Sequence, residues 1–157
     1  MTPKTRSPKH ERVGTILRRC VGSLVEDWLA RAKQSRELNH LTLSDEDRTG
    51  HLPKLVKDLI VRLSKPSASA KDSDAVSSTT AIAHGILGYE QSYTPAMLVH
   101  ESRILQVTLF ETLEDNLRFL NVSLLLTDIA TIADEVDAQL AQSMDSYMNA
   151  RQQATAA

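Results

Sequence analysis

The spacing of apolar side chains most constrains the fold, because they recur every three or four residues through most of the chain. The longest pattern covers residues 122–147 and marks one side of a helix of about seven turns. A second pattern, over residues 13–32, places Cys20 and Trp28 on a broad apolar stripe. This spacing predicts helices packed side by side, with Trp28 as a core anchor.

Composition supports the same fold class. Aromatic residues make up only 4% of the chain, with five glycines and five prolines, which is typical of helices and not of a sandwich of short strands. A chain of 157 residues can bury one core. We therefore predict an all-α single domain of five to six helices, in an antiparallel helical bundle or a globin-like packing, with a long C-terminal helix.

Capping residues, prolines and composition shifts predict where the segments begin and end. The domain should cover residues 9–148, between a disordered basic tail at 1–8 and a frayed tail at 149–157. In its first half we expect a helix at 9–38, a short helix capped by Ser44, a bend at His51, a helix ending by Ser64 and an internal surface loop at 65–74. In its second half we expect a weak helix at 75–91, a helix capped by Thr94 and reaching Arg118 or beyond, and a last helix capped by Asn121.

The densest polar cluster outside the linkers lies at a helix–turn–helix corner, residues 84–106. It contains His84, Tyr93, His100, Glu101 and Arg103. His84 can form a hydrogen bond with Glu101 or with the Tyr93 hydroxyl. Glu101 with Arg103 is typical of a fixed ion pair or polar network. Gly85 and Gly88, which weaken the preceding helix, indicate close contact with a neighbouring helix.

Charge and cysteine content restrict the cellular setting. The net charge of −2 offers no broad field for nucleic acid, and no apolar run is long enough for a membrane span. The basic start of the chain lacks the apolar segment of a secretory signal, and the single cysteine cannot form an internal disulfide. We expect a cytoplasmic protein that binds neither membrane nor nucleic acid. Its Cys20 should be reduced and buried.

Several short stretches together resemble the N-terminal sensor domain of RsbRD-type stress regulators, which also precedes kinase modules in bacterial sensor histidine kinases. The most specific pieces are Leu43-Ser44-Asp45-Glu46 with His51-Leu52-Pro53, and His84-Gly85 with Tyr93, Leu98, Glu101, Arg103 and Leu105. The chain departs from the family pattern at Gly88, Ser92, Ser102 and Gln106, where the family has arginine, glycine, tyrosine and arginine. The resemblance covers about residues 24–147.

The resemblance implies a non-catalytic sensory or protein-interaction domain in bacterial signal transduction, of the stress-response or two-component type. Its signal-sensing corner would be His84, Tyr93, Glu101 and Arg103. We expect the signal to pass through helix packing to a signalling partner, either a kinase or a STAS-type regulator, or to a C-terminal effector. Residues on the last helix would form the interface of a homodimer or transmit the signal: Ile129, Val136, Leu140 and Met144. The first helix is the alternative dimer surface.

Other functional classes have weaker support. His100-Glu101 lacks the residues that normally follow a phospho-accepting histidine, and no nucleotide-binding loop is present, so we expect no enzyme activity. His51, His84 and His100 do not form a pair spaced by four on one helix, so spacing predicts no metal site and no cofactor. The alternative function is a helical DNA-binding regulator that uses the basic first helix, with Arg12, Arg18 and Arg19.

Overall fold

The computed structural model describes residues 10–65 and 78–157. They form six α-helices and no strand, which confirms the predicted all-α single domain with a long C-terminal helix. In chain order the helices are α1 (Val13–Gln34), α2 (Asp45–Thr49), α3 (Leu52–Leu63), α4 (Thr79–Glu90), α5 (Pro95–Asp115) and α6 (Val122–Thr155). The predicted tail at 1–8 and all but the first residue of the predicted loop at 65–74 lie outside the described residues.

Three helices begin at the predicted caps. The Ser44 hydroxyl accepts the backbone N–H of Asp47 at 3.0 Å, and the Thr94 hydroxyl accepts that of Met97 at 3.3 Å. The Asn121 side chain accepts a backbone N–H at the start of α6. Each cap gives a hydrogen-bond partner to a donor that has none inside the helix.

Helix ends were predicted less well. Helix α5 ends at Asp115 and not at Arg118 or beyond, because the Asn116 amide donates to the Thr112 carbonyl and a 3₁₀ turn, Leu117–Phe119, follows. The chain then forms a parallel β-bridge with Glu11, whose N–H donates to Phe119 and whose carbonyl accepts the N–H of Asn121. This long-range pairing redirects the chain before α6.

Two further boundaries differ from the prediction. Helix α6 extends past residue 148, the predicted end of the domain, and continues to Thr155 through a segment rich in alanine and glutamine, which favour helix. Helix α1 is shorter than the predicted 9–38, because Arg12 and Ser35 have extended backbone.

Helix α1 packs against both α3 and α5 in the core, and α6 packs mainly along α4. Trp28 is 1% exposed, as predicted for a core anchor. The other largest fully buried side chains of the described residues are Ile16, Leu17, Leu24, Leu38, Leu52, Leu98, Leu109, Leu120 and Ile132. Cys20 is a free thiol that is only partly buried, which corrects the prediction of a buried one.

Helices α4 and α6 approach unusually closely at Gly85. A Cβ at this position would overlap the backbone carbonyl oxygen of Ser143 on α6. The Ser143 hydroxyl donates to the Ala81 carbonyl at 2.8 Å, and the Ser146 hydroxyl donates to that of Ile82 at 2.9 Å. The predicted close contact at Gly85 is therefore confirmed, and serine hydroxyls hydrogen-bond the two helices together.

The buried face of α6 is more polar than its sequence pattern indicates. Asp128, Glu135, Gln139 and Ser143 are all buried on it. Asp128 pairs with Arg12 at 3.1 Å, and Glu135 pairs with Arg62 at 2.8 Å.

Among the described helices, none combines the length and the apolarity that a bilayer span requires.

Candidate functional site

The end of α4 fixes the position of Tyr93. The Tyr93 N–H donates to the Gly88 carbonyl, and the Ser92 N–H donates to that of Tyr89, which is the hydrogen-bond pattern of a Schellman motif. Ser92 has a φ of 64°, the left-handed conformation that this motif requires. Glycine usually occupies this position, and the resembled family also has glycine there. The turn directs the buried Tyr93 side chain toward α5.

Glu101 on α5 is the centre of a buried polar cluster, which consists of His51, His84, Tyr93 and Glu101. Its carboxylate accepts the Tyr93 hydroxyl at 2.7 Å on one oxygen and the His84 Nε2–H at 2.8 Å on the other. The residue is only 4% exposed. A buried carboxylate needs such donors, because without them its desolvation would be costly. The prediction that His84 holds Glu101 is confirmed.

Neighbouring side chains fix the cluster from two sides. The indole N–H of Trp28 on α1 donates to the backbone carbonyl of Glu101 at 3.2 Å. The hydroxyl of Tyr147 on α6 donates to the backbone carbonyl of Tyr93 at 2.7 Å. The cluster therefore connects α1, α4, α5 and α6 through hydrogen bonds.

His51 belongs to the cluster although the spacing of histidines gave no reason to place it there. It precedes α3, and its ring stacks on that of His84 with a centroid distance of 3.7 Å and an interplanar angle of 15°. The rings of His51 and Trp28 are nearly perpendicular, in a T-shaped arrangement with a centroid distance of 6.1 Å. The only sequence signal for His51 was its presence in one of the stretches that resemble the sensor family.

Burial and neighbouring charges shift two pKa values in the cluster. Burial raises the pKa of Tyr93 well above its ordinary value, and the negative charge of Glu101 raises it further, so the phenol keeps its proton. Burial lowers the pKa of His51 well below its ordinary value, with a smaller electrostatic contribution from the neighbouring His84. His51 is therefore neutral at neutral pH.

A cavity of about 30 Å³ adjoins the cluster, between the start of α3 and helices α4, α5 and α6. His51, His84 and Glu101 border it together with mostly apolar side chains such as Leu98, Leu105 and Leu140. This volume is enough for one or two water molecules or a comparably small ligand. Each of the three polar residues also presents one possible ligand atom, and these atoms lie within 4.8 Å of one another.

Arg103 does not join the other predicted site residues. It is exposed and forms no salt bridge with any residue that the structure describes, so the expected ion pair with Glu101 is absent. Residues two apart on a helix point to different sides, which separates Arg103 from the buried face of α5. His100 also lies outside the cluster, partly exposed and 3.8 Å from Glu37.

The predicted interface or transmission residues lie in different surroundings on α6. Val136 is buried in the core of the same chain, and Leu140 and Met144 are partly buried against that core. Ile129 is half-buried. Two apolar residues of the first turns of α6 are more accessible, with Val122 67% and Leu126 80% exposed.

Two of the three arginines proposed for a DNA contact are engaged in ion pairs. Arg12 pairs with Asp128, and Arg19 pairs with Glu11 at 2.6 Å. Arg18 is exposed. These ion pairs reduce the positive field that the first helix could offer to phosphates.

Comparisons of the chain with protein-family models, with curated proteins and with solved structures gave no match.

Proposed function

We propose that this chain is a non-catalytic sensory or protein-interaction domain of bacterial signal transduction, of the kind found in stress regulators and sensor histidine kinases. The observation that carries the proposal is the buried cluster around Glu101, which borders a small cavity and is hydrogen-bonded to the long helix α6. The sequence resemblance supports the same class by analogy.

The route from the cluster to α6 is short. The Glu101 carboxylate accepts a hydrogen bond from the Tyr93 hydroxyl, and the backbone carbonyl of Tyr93 accepts one from the Tyr147 hydroxyl. A ligand that changes the hydrogen bonds of Glu101 would therefore change the contacts of α6. Signalling further requires that the ligand bind two packings of the helices with different affinity.

Partner binding is the second half of the proposal. We expect a cytoplasmic homodimer that acts on a kinase or a STAS-type regulator. The exposed side chains of Val122 and Leu126 offer apolar contact area at the start of α6. The DNA-binding alternative is less favoured, because Arg12 and Arg19 are paired with carboxylates.

A fusion protein tests the signalling role. The end of α6 would be joined in helical register to the transmitter module of a histidine kinase, and autophosphorylation would be measured. Glu101→Gln should change the rate by about fivefold or more, which is the smaller end of typical coupling between sites. Glu114→Gln is the matched control, because Glu114 lies on the same helix with an exposed side chain and forms no ion pair with the described residues. Equal rates for the folded wild-type and Glu101→Gln fusions would contradict the proposal.

A further inference from the structure

Three side chains of the cluster have the chemistry of a metal site. His51 comes from the start of α3, His84 from α4 and Glu101 from α5. Two imidazoles and one carboxylate are a common ligand set for zinc and for non-haem iron. Because each residue comes from a different element, a search for histidines spaced by four on one helix cannot detect this combination.

The distances are close to those that a metal ion needs. Zinc binds histidine nitrogen and carboxylate oxygen at about 2.0–2.2 Å, so ligand atoms on one ion lie about 3 Å apart. His84 Nε2 and Glu101 Oε2 are already 2.8 Å apart. All three ligand atoms lie within 4.8 Å of one another. The His51 and His84 rings are stacked nearly parallel, so the His51 ring would rotate out of this stack to direct a nitrogen lone pair at the same ion.

The surroundings of Glu101 support the same conclusion. Its carboxylate is buried, and no lysine or arginine of the described residues forms a salt bridge with it. The Tyr93 hydroxyl donates to the oxygen that does not face His84. Hydrogen bonds of this kind orient carboxylate ligands in metal sites, and a bound cation would balance the buried negative charge.

The cavity supplies an open coordination position. Its border includes all three candidate ligands, and its volume of about 30 Å³ leaves room for a water molecule or a small ligand on the ion. A site with three protein ligands and one open position differs from a closed structural site with four.

We propose that His51, His84 and Glu101 bind one divalent transition-metal ion of the Zn²⁺ or Fe²⁺ class, with an open coordination position toward the cavity. This site stands on the geometry of the cluster alone, and it would exist whether or not the chain has the signalling role proposed above.

Calorimetric titration of Zn²⁺ into the untagged, chelator-treated chain tests the site. We expect one ion per chain, and affinity weakened by about tenfold or more in each of His51→Ala, His84→Ala and Glu101→Gln. Tyr93→Phe should weaken binding by about tenfold through the lost hydrogen bond to Glu101. His100→Ala, which removes a partly exposed histidine that lies outside the cluster near Glu37, should bind as the wild type does. Unchanged affinity in His51→Ala or loss of binding in His100→Ala would overturn the proposal.

A measurement on the wild-type chain does not depend on the folding of variants. X-ray absorption at the zinc edge of the one-to-one complex should show scattering from two imidazole rings and from carboxylate or water oxygens. A spectrum with oxygen ligands only, or the failure of the chain to bind Zn²⁺ at all, would refute the site.

Discussion

Glu101 matters more than any other residue of the cluster, because two side chains depend on its carboxylate for a hydrogen bond. Tyr93 and His84 each donate to a different oxygen, and the group is removed from solvent. In a medium of low dielectric constant such bonds are stronger, and the loss of one leaves a costly unpaired group. The cluster should therefore contribute to stability as well as to any ligand site.

Tyr93→Phe should lower the free energy of unfolding by about 1.5–3 kcal/mol, the usual value for a hydrogen bond to a charged group. Tyr89→Phe is the matched control, because Tyr89 lies on α4 nearby and its hydroxyl makes no hydrogen bond with the described residues. The control should change stability by less than about 0.5 kcal/mol. Urea unfolding measures both values, and equal losses would show that the hydroxyl of Tyr93 contributes nothing special.

The lowered pKa of His51 predicts a pH dependence of stability in the metal-free chain. The folded state disfavours protonation of His51, whereas the unfolded chain protonates near pH 6.5, so the unfolded state binds more protons as the pH falls. Stability should therefore decline below about pH 6.5, by up to about 1.4 kcal/mol per pH unit, until the folded pKa is reached. His51→Asn should decline less steeply over pH 5–7 in chemical denaturation. Parallel curves for the two proteins would contradict this prediction.

At the scale of elements, glycines and one serine decide how α4 meets its neighbours. Gly85 allows the backbone of α4 to lie against that of α6, and Ser92 reverses the chain between α4 and α5. The first position requires the absence of a side chain. The second requires a left-handed backbone, which costs a residue other than glycine about 1–2 kcal/mol.

Gly85→Ala should destabilise the chain by about 1–3 kcal/mol or more, because the added methyl group would force α4 and α6 apart. Gly22→Ala provides the opposite expectation. Gly22 lies within α1 with nothing near its missing side chain, so alanine should stabilise the helix by about 0.5–1 kcal/mol. Thermal unfolding of the two variants should shift in opposite directions. A tolerated Gly85→Ala would mean that the two helices are not packed this closely.

Ser92→Gly should raise the free energy of unfolding by about 0.5–1 kcal/mol, because relief of the left-handed strain exceeds the entropy that glycine adds to the unfolded chain. Ser123→Gly serves as the control, since Ser123 lies in the first turn of α6. Glycine weakens a helix at this position, so this variant should have a lower free energy of unfolding. Denaturant midpoints of the two variants distinguish these outcomes. A destabilised Ser92→Gly would argue against the turn described here.

At the scale of the whole molecule, α6 has two roles along its 34 residues. Its middle and end complete the fold against α4, whereas the first turns expose Val122 and Leu126. Buried polar residues on α6 pair with partners elsewhere in the fold, namely Arg12 just before α1 and Arg62 on α3. These pairs favour one register of α6 among several that a simple apolar stripe would allow.

Leu126→Glu should convert the proposed dimer into a monomer without a loss of thermal stability, because the side chain is 80% exposed in the single chain. Light scattering measures the mass, and circular dichroism monitors unfolding. Val61→Glu is a suitable control, because Val61 is an exposed apolar residue on a different helix, α3. A dimer that survives Leu126→Glu would exclude this surface, and a monomeric wild type would exclude the dimer.

Local rules were sufficient for much of the fold. Helical periodicity predicted the all-α class, and capping chemistry predicted the starts at Ser44, Thr94 and Asn121, because both depend on neighbours only a few residues away. A close approach of α4 to a neighbouring helix at Gly85 was also predictable, since two glycines in a helix need a packing reason, but only the structure identifies that helix as α6.

Only the tertiary structure decided which side chains meet. His51 and His84 lie on different elements, and no spacing rule relates them, yet their rings stack beside Glu101. The bridge between Glu11 and Leu120, which redirects the chain after α5, likewise joins residues that lie far apart in the sequence. A sequence pattern reports the face of one element and the capping of its ends, whereas a site depends on how several elements are brought together by packing that no single stretch of sequence encodes.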